Sequence, residues 1–208
     1  MSIFDNLYEM EVELTTLEEM LGSAPSNPHI HEEFIASNAP DAHSREEEIA
    51  AIGVDAAVEK SMTIFSRNRF GQPIMWDYQV RGMFKDACGM LRTWPKSLSS
   101  KVRNYKKMID GQIFVKERQI PIVYSGAMGT CQRPLRADTM QGPRVALASS
   151  EAIPAGAKLH FTVRCFSESE VELVKEWLDY GALRGLGQWR NSGKGKFKWE
   201  LVEVRKPT

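Results

Sequence analysis

Apolar and polar residues alternate in three segments of the chain. Residues 7–14 (LYEMEVEL) place glutamates between apolar residues, and residues 158–166 (KLHFTVRCF) show the clearest alternation. Residues 196–204 (KFKWELVEV) close the chain in a similar way. A period of two is typical of a strand with one buried face. These segments are therefore predicted to be strands of a sheet that has one face on a core.

Helical spacing of apolar residues appears in two longer segments. From Tyr78 onward the apolar residues fall on one helical face until Pro95 ends the pattern. Residues 168–183 show the same spacing, and Ser167 followed by Glu170 fits a capping box. A short basic helix is predicted at 97–108, and a further helix is predicted to start at Ser44, with Glu47 completing a capping box, and to run to about Met62.

The remaining segments predict short strands and connections. Residues 63–65 and 74–76 flank a hairpin centred on Gly71, and residues 112–115 and 118–124 are predicted to be strands. Residues 22–44 are rich in Pro, Ser, Asn and His and are predicted to be a loop, and residues 125–150 are rich in turn-forming residues. This order of elements indicates an α+β fold with a ferredoxin-like (RRM-like) core and insertions.

Composition adds limits to this picture. The chain has 208 residues, of which 42% are apolar and 26% charged, which is ordinary for a globular protein. No apolar run reaches about 18 residues, and the start lacks the pattern of a secretory signal. Three cysteines are too few and too scattered for a disulfide framework or a zinc site. A cytoplasmic protein without a membrane partner, metal or cofactor is expected, in the host cytoplasm if a virus encodes it.

Charge is unevenly distributed along the chain. The 27 basic and 27 acidic side chains cancel overall, but only Arg45 and Lys60 are basic within residues 1–60. The first quarter is therefore acidic and the rest basic, which indicates an anionic partner for the later part. The acidic segment could cover the basic part of its own chain, dock on a neighbouring subunit, or only raise solubility.

Two stretches without acidic residues combine bases with aromatic residues. The first runs from Arg92 to Lys107 and contains Trp94 and Tyr105, and the second runs from Arg184 to Lys198 and contains Trp189 and Phe197. Lysine and arginine side chains neutralise phosphates, and aromatic rings stack on unpaired nucleobases. Both stretches therefore suit single-stranded nucleic acid. The alternative is a solvated basic face with aromatic residues in the core.

Three ordered motifs resemble those of the RAMP superfamily. Residues 72–85 (QPIMWDYQVRGMFK) resemble the entry to its first helix, and residues 151–156 (EAIPAG) resemble its E-x-V-P-x-G run. Residues 185–197 (GLGQWRNSGKGKF) resemble its C-terminal glycine-rich loop. The family includes the backbone, guide-RNA-binding subunits of type I and type III CRISPR effector complexes. The resemblance covers most of residues 1–208, read as a single domain with an acidic insertion at about 23–62 and a basic insertion at about 93–111.

The chain also departs from the family pattern. Trp76-Asp77-Tyr78-Gln79 stands where the family has Pro-Gly-Ser-Ser, so the small hydroxyl side chains are missing. The acidic insertion has no simple counterpart in the family. These departures predict a divergent relative, carried by a virus such as a phage or by a mobile element.

The resemblance implies binding of single-stranded nucleic acid, RNA more than DNA, along a groove. It also implies a homo-oligomer or a subunit of a larger nucleoprotein complex. Glycines would let the chain approach phosphates and donate N–H groups, and bases would neutralise the charge. The predicted nucleic-acid-binding residues are Arg81, Lys85, Arg133, Arg136, Arg144, Arg184, Gly187, Trp189, Arg190, Gly193, Lys194, Gly195 and Lys196.

Other functions stay open at this point. Some RAMP proteins cut RNA, but Asp55 falls in a helical pattern and His29 and His31 lie in a proline-rich loop without a third ligand. His160 is predicted on the polar face of a strand, and Cys88 and Cys165 in the core. No catalytic residue is therefore assigned. The alternatives are a viral protein that mimics or blocks a CRISPR complex, and a RAMP-type endoribonuclease.

Overall fold

The structure is a computed structural model that describes residues 6–25, 62–139 and 142–206, without the side chains of 135–139 and 142–146. These parts form a mixed α+β fold with two sheets and three α-helices. The strands are β1 (Tyr8–Thr16), β2 (Met20–Leu21), β3 (Ala24–Pro25), β4 (Thr63–Ile64), β5 (Ser66–Arg67), β6 (Pro73–Trp76), β7 (Phe114–Val115), β8 (Gln119–Val123), β9 (Gly129–Thr139), β10 (Gly142–Ile153), β11 (Lys158–Cys165) and β12 (Phe197–Arg205). The helices are α1 (Asp77–Leu91), α2 (Tyr105–Gln112) and α3 (Glu168–Arg184).

The larger sheet contains the three strands predicted from alternation. Its order is β12-β1-β11-β8-β6-β5, with β7 also paired to β11, and all these pairs are antiparallel. The register between β1 and β11 runs from Tyr8 opposite Cys165 to Thr15 opposite Lys158. The apolar residues of both strands are buried, because the alternation places them all on the face that carries the core.

Helices α1 and α3 bury their apolar faces in that core. The Phe84 and Trp177 rings lie 5.7 Å apart, between the two helices. Gly181 allows this close packing, because a Cβ there would lie 2.7 Å from the Met83 sulfur. The predicted cap is confirmed, since the Ser167 hydroxyl accepts a hydrogen bond from the Glu170 amide.

The smaller sheet contains two long strands in the segment at 125–150, which its turn-rich sequence did not predict. Strands β9 and β10 form a long hairpin, with Thr139 opposite Gly142 at one end and Gly129 opposite Ala152 at the other. The hairpin is held by backbone hydrogen bonds along its whole length, so it needs no alternating apolar face. Pro134 is tolerated because β9 pairs only with β10, which leaves its other edge unpaired in the described part of the chain.

The segment after α1 also differs from its prediction. Instead of one short helix at 97–108, the chain forms a 3-10 turn at Leu98–Lys101 and then α2. Asn104 lies between them in the left-handed region, with φ of 49°. Asparagine tolerates this conformation better than most residues, and it interrupts the helical path.

The remaining predictions are partly testable. The hairpin around Gly71 is confirmed, with Ser66 opposite Ile74. The helix predicted from Ser44 and most of the acidic insertion lie outside the described residues. In the described ranges, no helix is long and apolar enough to cross a membrane.

Candidate nucleic-acid interface

The glycine-rich loop between α3 and β12 packs closely against the β1–β2 connection. A Cβ at Gly187 would overlap the Leu21 carbonyl oxygen, and one at Gly195 would overlap the Leu186 carbonyl. Both glycines have positive φ, and so does Gly185 at the end of α3. These three glycines are therefore explained by backbone packing inside the protein.

The loop uses several of its amides within the protein. The Leu186 and Gly195 amides donate to the carbonyl oxygens of Gly195 and Glu19, at 2.9 and 2.8 Å. The Gly193 amide donates to Arg190 O at 2.9 Å. The expectation that Gly193 and Gly195 offer free N–H groups to a phosphate is therefore wrong for this conformation. Any phosphate contact of this loop has to come from its side chains or its other amides.

Arg133 of β9 lies over the ring of Trp189 in this loop, with its guanidinium carbon 5.2 Å from the ring centroid. Arg133 Nη2 donates to the Gln188 side-chain oxygen at 3.0 Å, and Thr63 Oγ1 donates to the same oxygen at 3.4 Å. Thr63 also hydrogen-bonds to Ser150 at 2.7 Å. This cluster joins the glycine-rich loop to the β9–β10 hairpin. It brings together Arg133 and Trp189, two predicted nucleic-acid-binding residues that lie far apart in the sequence.

The hydrogen-bonding capacity of Arg133 is only partly used. Its Nε and Nη1 atoms are buried and have no partner among the described residues. A buried guanidinium N–H without an acceptor costs free energy, about 1–3 kcal/mol for a polar group and more when it is charged. Trp189 has φ of 55°, and its side chain is partly exposed beside the arginine. The cluster therefore combines two unused donors with a partly exposed ring, and a ligand acceptor would reach those buried donors only after the Arg133 side chain moves.

The other bases of the loop have carboxylate partners. Asp86 of α1 lies 3.0 Å from Arg190 and 3.5 Å from Arg184. Glu19 accepts a hydrogen bond from Lys194, which raises the pKa of that amine above its usual value. A ligand phosphate would therefore compete with Asp86 and Glu19 for these three cations.

Lys196 differs from its neighbours in the loop. It is exposed, and no carboxylate oxygen of the described residues lies within 4 Å of it. Its ammonium group lies near Gly193, which has space for contact on that side. Lys196 is the base of this loop that an approaching anion would meet first.

Arg81 and Lys85 lie on α1, the helix that also carries Asp86, and they pair with other carboxylates. Arg81 contacts Asp77 at 3.1 Å, and Lys85 contacts Asp110 of α2 at 2.6 Å. Arg81 also lies 3.9 Å from Asp110, and its Nε is buried without a partner in the described part of the chain. In this conformation both side chains link α1 to α2 through Asp110.

Two predicted arginines lie in the distal part of the β9–β10 hairpin. Arg136 is opposite Val145, and Arg144 is opposite Ala137. The backbone of both residues lies in this ladder, nearer to the tip of the hairpin than Arg133, which contacts the glycine-rich loop. The side chains of these two residues lie outside the described part of the structure.

Three other candidate residues, His160, Cys88 and Cys165, have ordinary structural roles. His160 lies on the open face of the large sheet, 2.9 Å from Glu11. Burial raises the pKa of the Cys165 thiol to about 12, and the Cys88 thiol is buried in the core as predicted. Asp55, His29 and His31 lie outside the described residues. The described side chains include no group of three or more acids, histidines or cysteines placed to hold a metal.

That open face carries charged side chains in compensating pairs. Glu9 lies 2.7 Å from Arg164, whose hydrogen bond lowers the pKa of the Glu9 carboxyl. A shallow polar cavity of about 260 Å³ lies beside this pair, and Lys116 and Arg205 line it too. The face therefore differs from an aromatic platform on which bases stack.

Sequence reasoning missed two contributors to the interface. Gln188 connects Arg133 to Thr63, and its amide donates to the Leu21 carbonyl at 3.3 Å. The sequence pattern places Thr63 only in a predicted strand beside the hairpin. Nothing in the local sequence marks either residue, because their partners lie 55 to 125 positions away in the chain.

Comparison with known proteins gives a match at the level of fold. No family model and no curated protein matches the sequence. Among 171 matching chains of solved structures is one from the cryo-EM structure of the Type III-B Cmr-beta bound to cognate target RNA. It has a TM-score of 0.53 and 10% sequence identity, and the match covers 99% of this chain. This chain spans 62% of the length of that one.

Proposed function

We propose that residues 1–208 form a single RAMP-like domain with a ferredoxin-like core. The order β12-β1-β11-β8, with α1 after β1 and α3 between β11 and β12, supports this assignment. In a β-α-β-β-α-β fold the two helices lie on one sheet face, as α1 and α3 do here. The fold match to a chain of an RNA-bound Cmr complex supports the same assignment. The divergent, virus-borne origin stays a prediction.

The protein is proposed to bind single-stranded nucleic acid, RNA more than DNA, without catalysing a reaction. The observation that carries this proposal is the Arg133–Trp189 pair, in which an arginine with two buried N–H groups that have no partner among the described residues lies on a partly exposed tryptophan. A nucleotide offers both an acceptor for the guanidinium and a base for the indole ring. Base stacking of this kind contributes about 1–3 kcal/mol per base.

The other predicted residues would contact the strand around this pair. Lys196 provides a base without a described carboxylate partner, and Arg184, Arg190 and Lys194 could exchange Asp86 and Glu19 for phosphates. Gly187, Gly193 and Gly195 would shape the loop that presents them. Arg136 and Arg144 on the hairpin, and Arg81 and Lys85 on α1, are proposed as further phosphate contacts.

The protein is further proposed to act as a subunit that oligomerises along the strand, in the cytoplasm. The experiment is a fluorescence-anisotropy titration of labelled single-stranded RNA, single-stranded DNA and duplex at two salt concentrations, with mass photometry on the same samples. Single-strand binding that weakens steeply with salt, accompanied by stepwise growth in mass, is expected. No binding to any of the three by a monodisperse protein would contradict the proposal.

A double variant locates the binding site. R133A/W189A is expected to lose about tenfold or more in RNA affinity, since it removes a stacking ring and a phosphate contact. The control is R69A/F70A, because Arg69 lies over the Phe70 ring at 4.6 Å in the tip of the β5–β6 hairpin. An equal loss of affinity in both variants would show that the Arg133–Trp189 pair is not the site.

A second candidate function is an interaction protein that mimics or blocks a CRISPR-like complex. The pairing of Arg184, Arg190 and Lys194 with carboxylates favours it, since these cations are already neutralised. Indifference to RNA together with tight binding to a purified effector complex would support this function.

A further inference from the structure

The connection between α1 and α2 carries a basic surface outside the proposed site. We define the 92–107 surface by Arg92, Trp94, Lys96, Lys101, Arg103, Lys106 and Lys107, all of which are exposed. The first acidic residue after Arg92 is Asp110. Residues 92–107 themselves therefore contribute only positive charge to this surface.

Cations without carboxylate partners are concentrated on this surface. Of the lysine and arginine side chains that the structure describes, most lie within 4 Å of a carboxylate oxygen, as Lys85, Lys175 and Arg190 do. Six bases of the 92–107 surface have no such partner in the described ranges. The other lysine and arginine side chains without a carboxylate partner in the described ranges are those of Arg69, Arg133 and Lys196.

The surface is held in place by buried polar contacts. The Glu176 carboxylate of α3 accepts hydrogen bonds from the Leu98 and Ser99 amides, at 2.7 and 3.0 Å, and from the Ser99 hydroxyl at 2.6 Å. The Trp177 indole donates to the same hydroxyl at 2.9 Å. Ser99 and Trp177 are fully buried. The backbone around Leu98 and Ser99 is thus fixed to the core, so little backbone conformational entropy is lost there when a ligand binds.

An exposed aromatic side chain lies among these bases. Trp94 is 54% exposed, and Leu98 beside the 3-10 turn is 45% exposed. A large exposed ring among cations is the combination used by surfaces that hold single-stranded nucleic acid.

The type of base favours nucleic acid over a protein partner. Four of the six bases on the 92–107 surface are lysines, namely Lys96, Lys101, Lys106 and Lys107. Protein interfaces are enriched in arginine and depleted in lysine, whereas lysine serves well as a point charge beside a phosphate. Arg92 lies over the Tyr105 ring at 5.1 Å, which leaves the lysines as the mobile contacts.

We propose that the 92–107 surface is a second contact surface for single-stranded RNA, which binds phosphates through its lysines and one base through Trp94. It extends the interface that runs through the Arg133–Trp189 pair, and so it rests on the proposed function. Both surfaces are attached to α1. Asp86, which pairs with Arg190, and Arg92 are about 9 Å apart along the helix axis and about 120° apart around it.

A charge-matched pair of variants tests the phosphate contacts. K96Q/K101Q/K106Q/K107Q removes four lysines of the 92–107 surface, and K158Q/K175Q/K198Q/K206Q removes four lysines that have carboxylate partners. Both variants lose the same net charge. The first is expected to bind labelled single-stranded RNA at least tenfold more weakly, with a salt slope lower by up to about 3, at about 0.7 per lost phosphate contact. Equal affinities and slopes in the two variants would overturn the proposal.

A second variant tests the stacking contact. Trp94→Ala is expected to weaken RNA binding about tenfold, and Trp94→Phe to restore most of the affinity. Phe70→Ala, which removes another exposed ring, serves as the control. Photo-crosslinking with 4-thiouridine RNA should label the peptide around Trp94 in the wild type. Absence of that crosslink with full affinity in Trp94→Ala would overturn the stacking contact.

The outcomes separate this inference from the proposed function. If the wild-type chain binds no single strand, the proposed function itself fails. If it binds and the four-lysine variant matches its control, only the second surface fails. If polyglutamate binds the wild type and not that variant, while RNA binding is unchanged, the surface serves an acidic protein and the proposal is overturned.

Discussion

The glycine-rich loop and the 92–107 surface look alike in sequence and differ in structure. Both are basic, free of acidic residues and contain aromatic side chains. In the loop, Arg184, Arg190 and Lys194 pair with carboxylates from distant elements. On the 92–107 surface, a distant carboxylate is also present, but Glu176 binds backbone amides and leaves the bases unpaired among the described residues.

This difference shows that a run of basic residues does not by itself identify a ligand site. A carboxylate paired with a basic side chain competes directly with an incoming anion for that side chain. One that caps amides still lowers the local potential, but it leaves the basic side chains without a partner that the anion would have to displace. The packing of the helices determines which groups each carboxylate contacts, since Asp86 lies on α1 and Glu176 on α3. The four predictions below test this comparison, from the largest expected effect to the smallest.

The largest effect is expected from the close backbone packing of the loop. Gly195→Ala should destabilise the protein by about 3 kcal/mol or more, because its Cβ would overlap Leu186 while φ is 68°. A Cβ at Gly193 would have open space, and the φ of this residue is similar. Gly193→Ala should therefore lower the free energy of unfolding by only about 1 kcal/mol. Gly111→Ala in α2 should instead stabilise by about 0.5 kcal/mol. Urea denaturation measures all three, and equal losses at positions 193 and 195 would contradict the packing argument.

The anchor of the 92–107 surface gives the next effect. Glu176→Ala removes three hydrogen bonds to a carboxylate and should cost about 2 kcal/mol. Hydrogen exchange should show lost protection at the Leu98 and Ser99 amides, with the Gly195 amide unchanged. Unchanged protection at Leu98 and Ser99 would mean that the connection is held by other contacts.

Releasing the loop's arginines should change ligand binding more than stability. Asp86→Asn removes the carboxylate between Arg184 and Arg190 and should strengthen RNA binding a few-fold, since one repulsive charge near the phosphates is lost. The stability cost should stay within about 1 kcal/mol for such a partly exposed pair. Glu172→Gln, which removes the partner of Lys175, is the control. Weaker binding in Asp86→Asn would show instead that Asp86 positions the arginines for the ligand.

The smallest effect concerns the charge pairs on the open sheet face. Hydrogen bonding to Arg164 lowers the pKa of the Glu9 carboxyl below its ordinary 4.5. A depressed carboxyl pKa adds stability that is present above that ordinary value and is lost as the pH falls through the lowered pKa. Glu9→Gln should therefore cost up to about 1 kcal/mol at pH 7 and little at pH 3, measured by thermal unfolding at both pH values. An equal cost at both would assign the effect to packing.

Local patterns predicted the elements that bury a regular face. Strand β11 and helix α3 were predicted with nearly their observed bounds, because every second or every third to fourth residue meets the same core. The β9–β10 hairpin was missed, since its strands pair through the backbone and show no such period. Asn104 was missed for a related reason, because a single left-handed residue leaves no pattern.

The candidate site was only partly predictable. Arg133 and Trp189 were both selected for their chemistry, but their contact across 56 positions depends on the glycine-rich loop meeting β9. Gln188 and Thr63 were not selected, because an isolated glutamine or threonine carries no local signal. The internal use of the Gly193 and Gly195 amides also depends on neighbours that the sequence does not place beside them.

The sequence by itself determined which residues face the core, where α3 begins, and that the later part of the chain is basic. These properties depend on neighbours within a few positions and on summed charge. The tertiary structure alone decided which cations keep a free charge and which glycines are buried in backbone contacts. Ion pairing and close packing act over a few ångströms in space, and the fold brings together residues that lie 175 positions apart, as with Glu19 and Lys194.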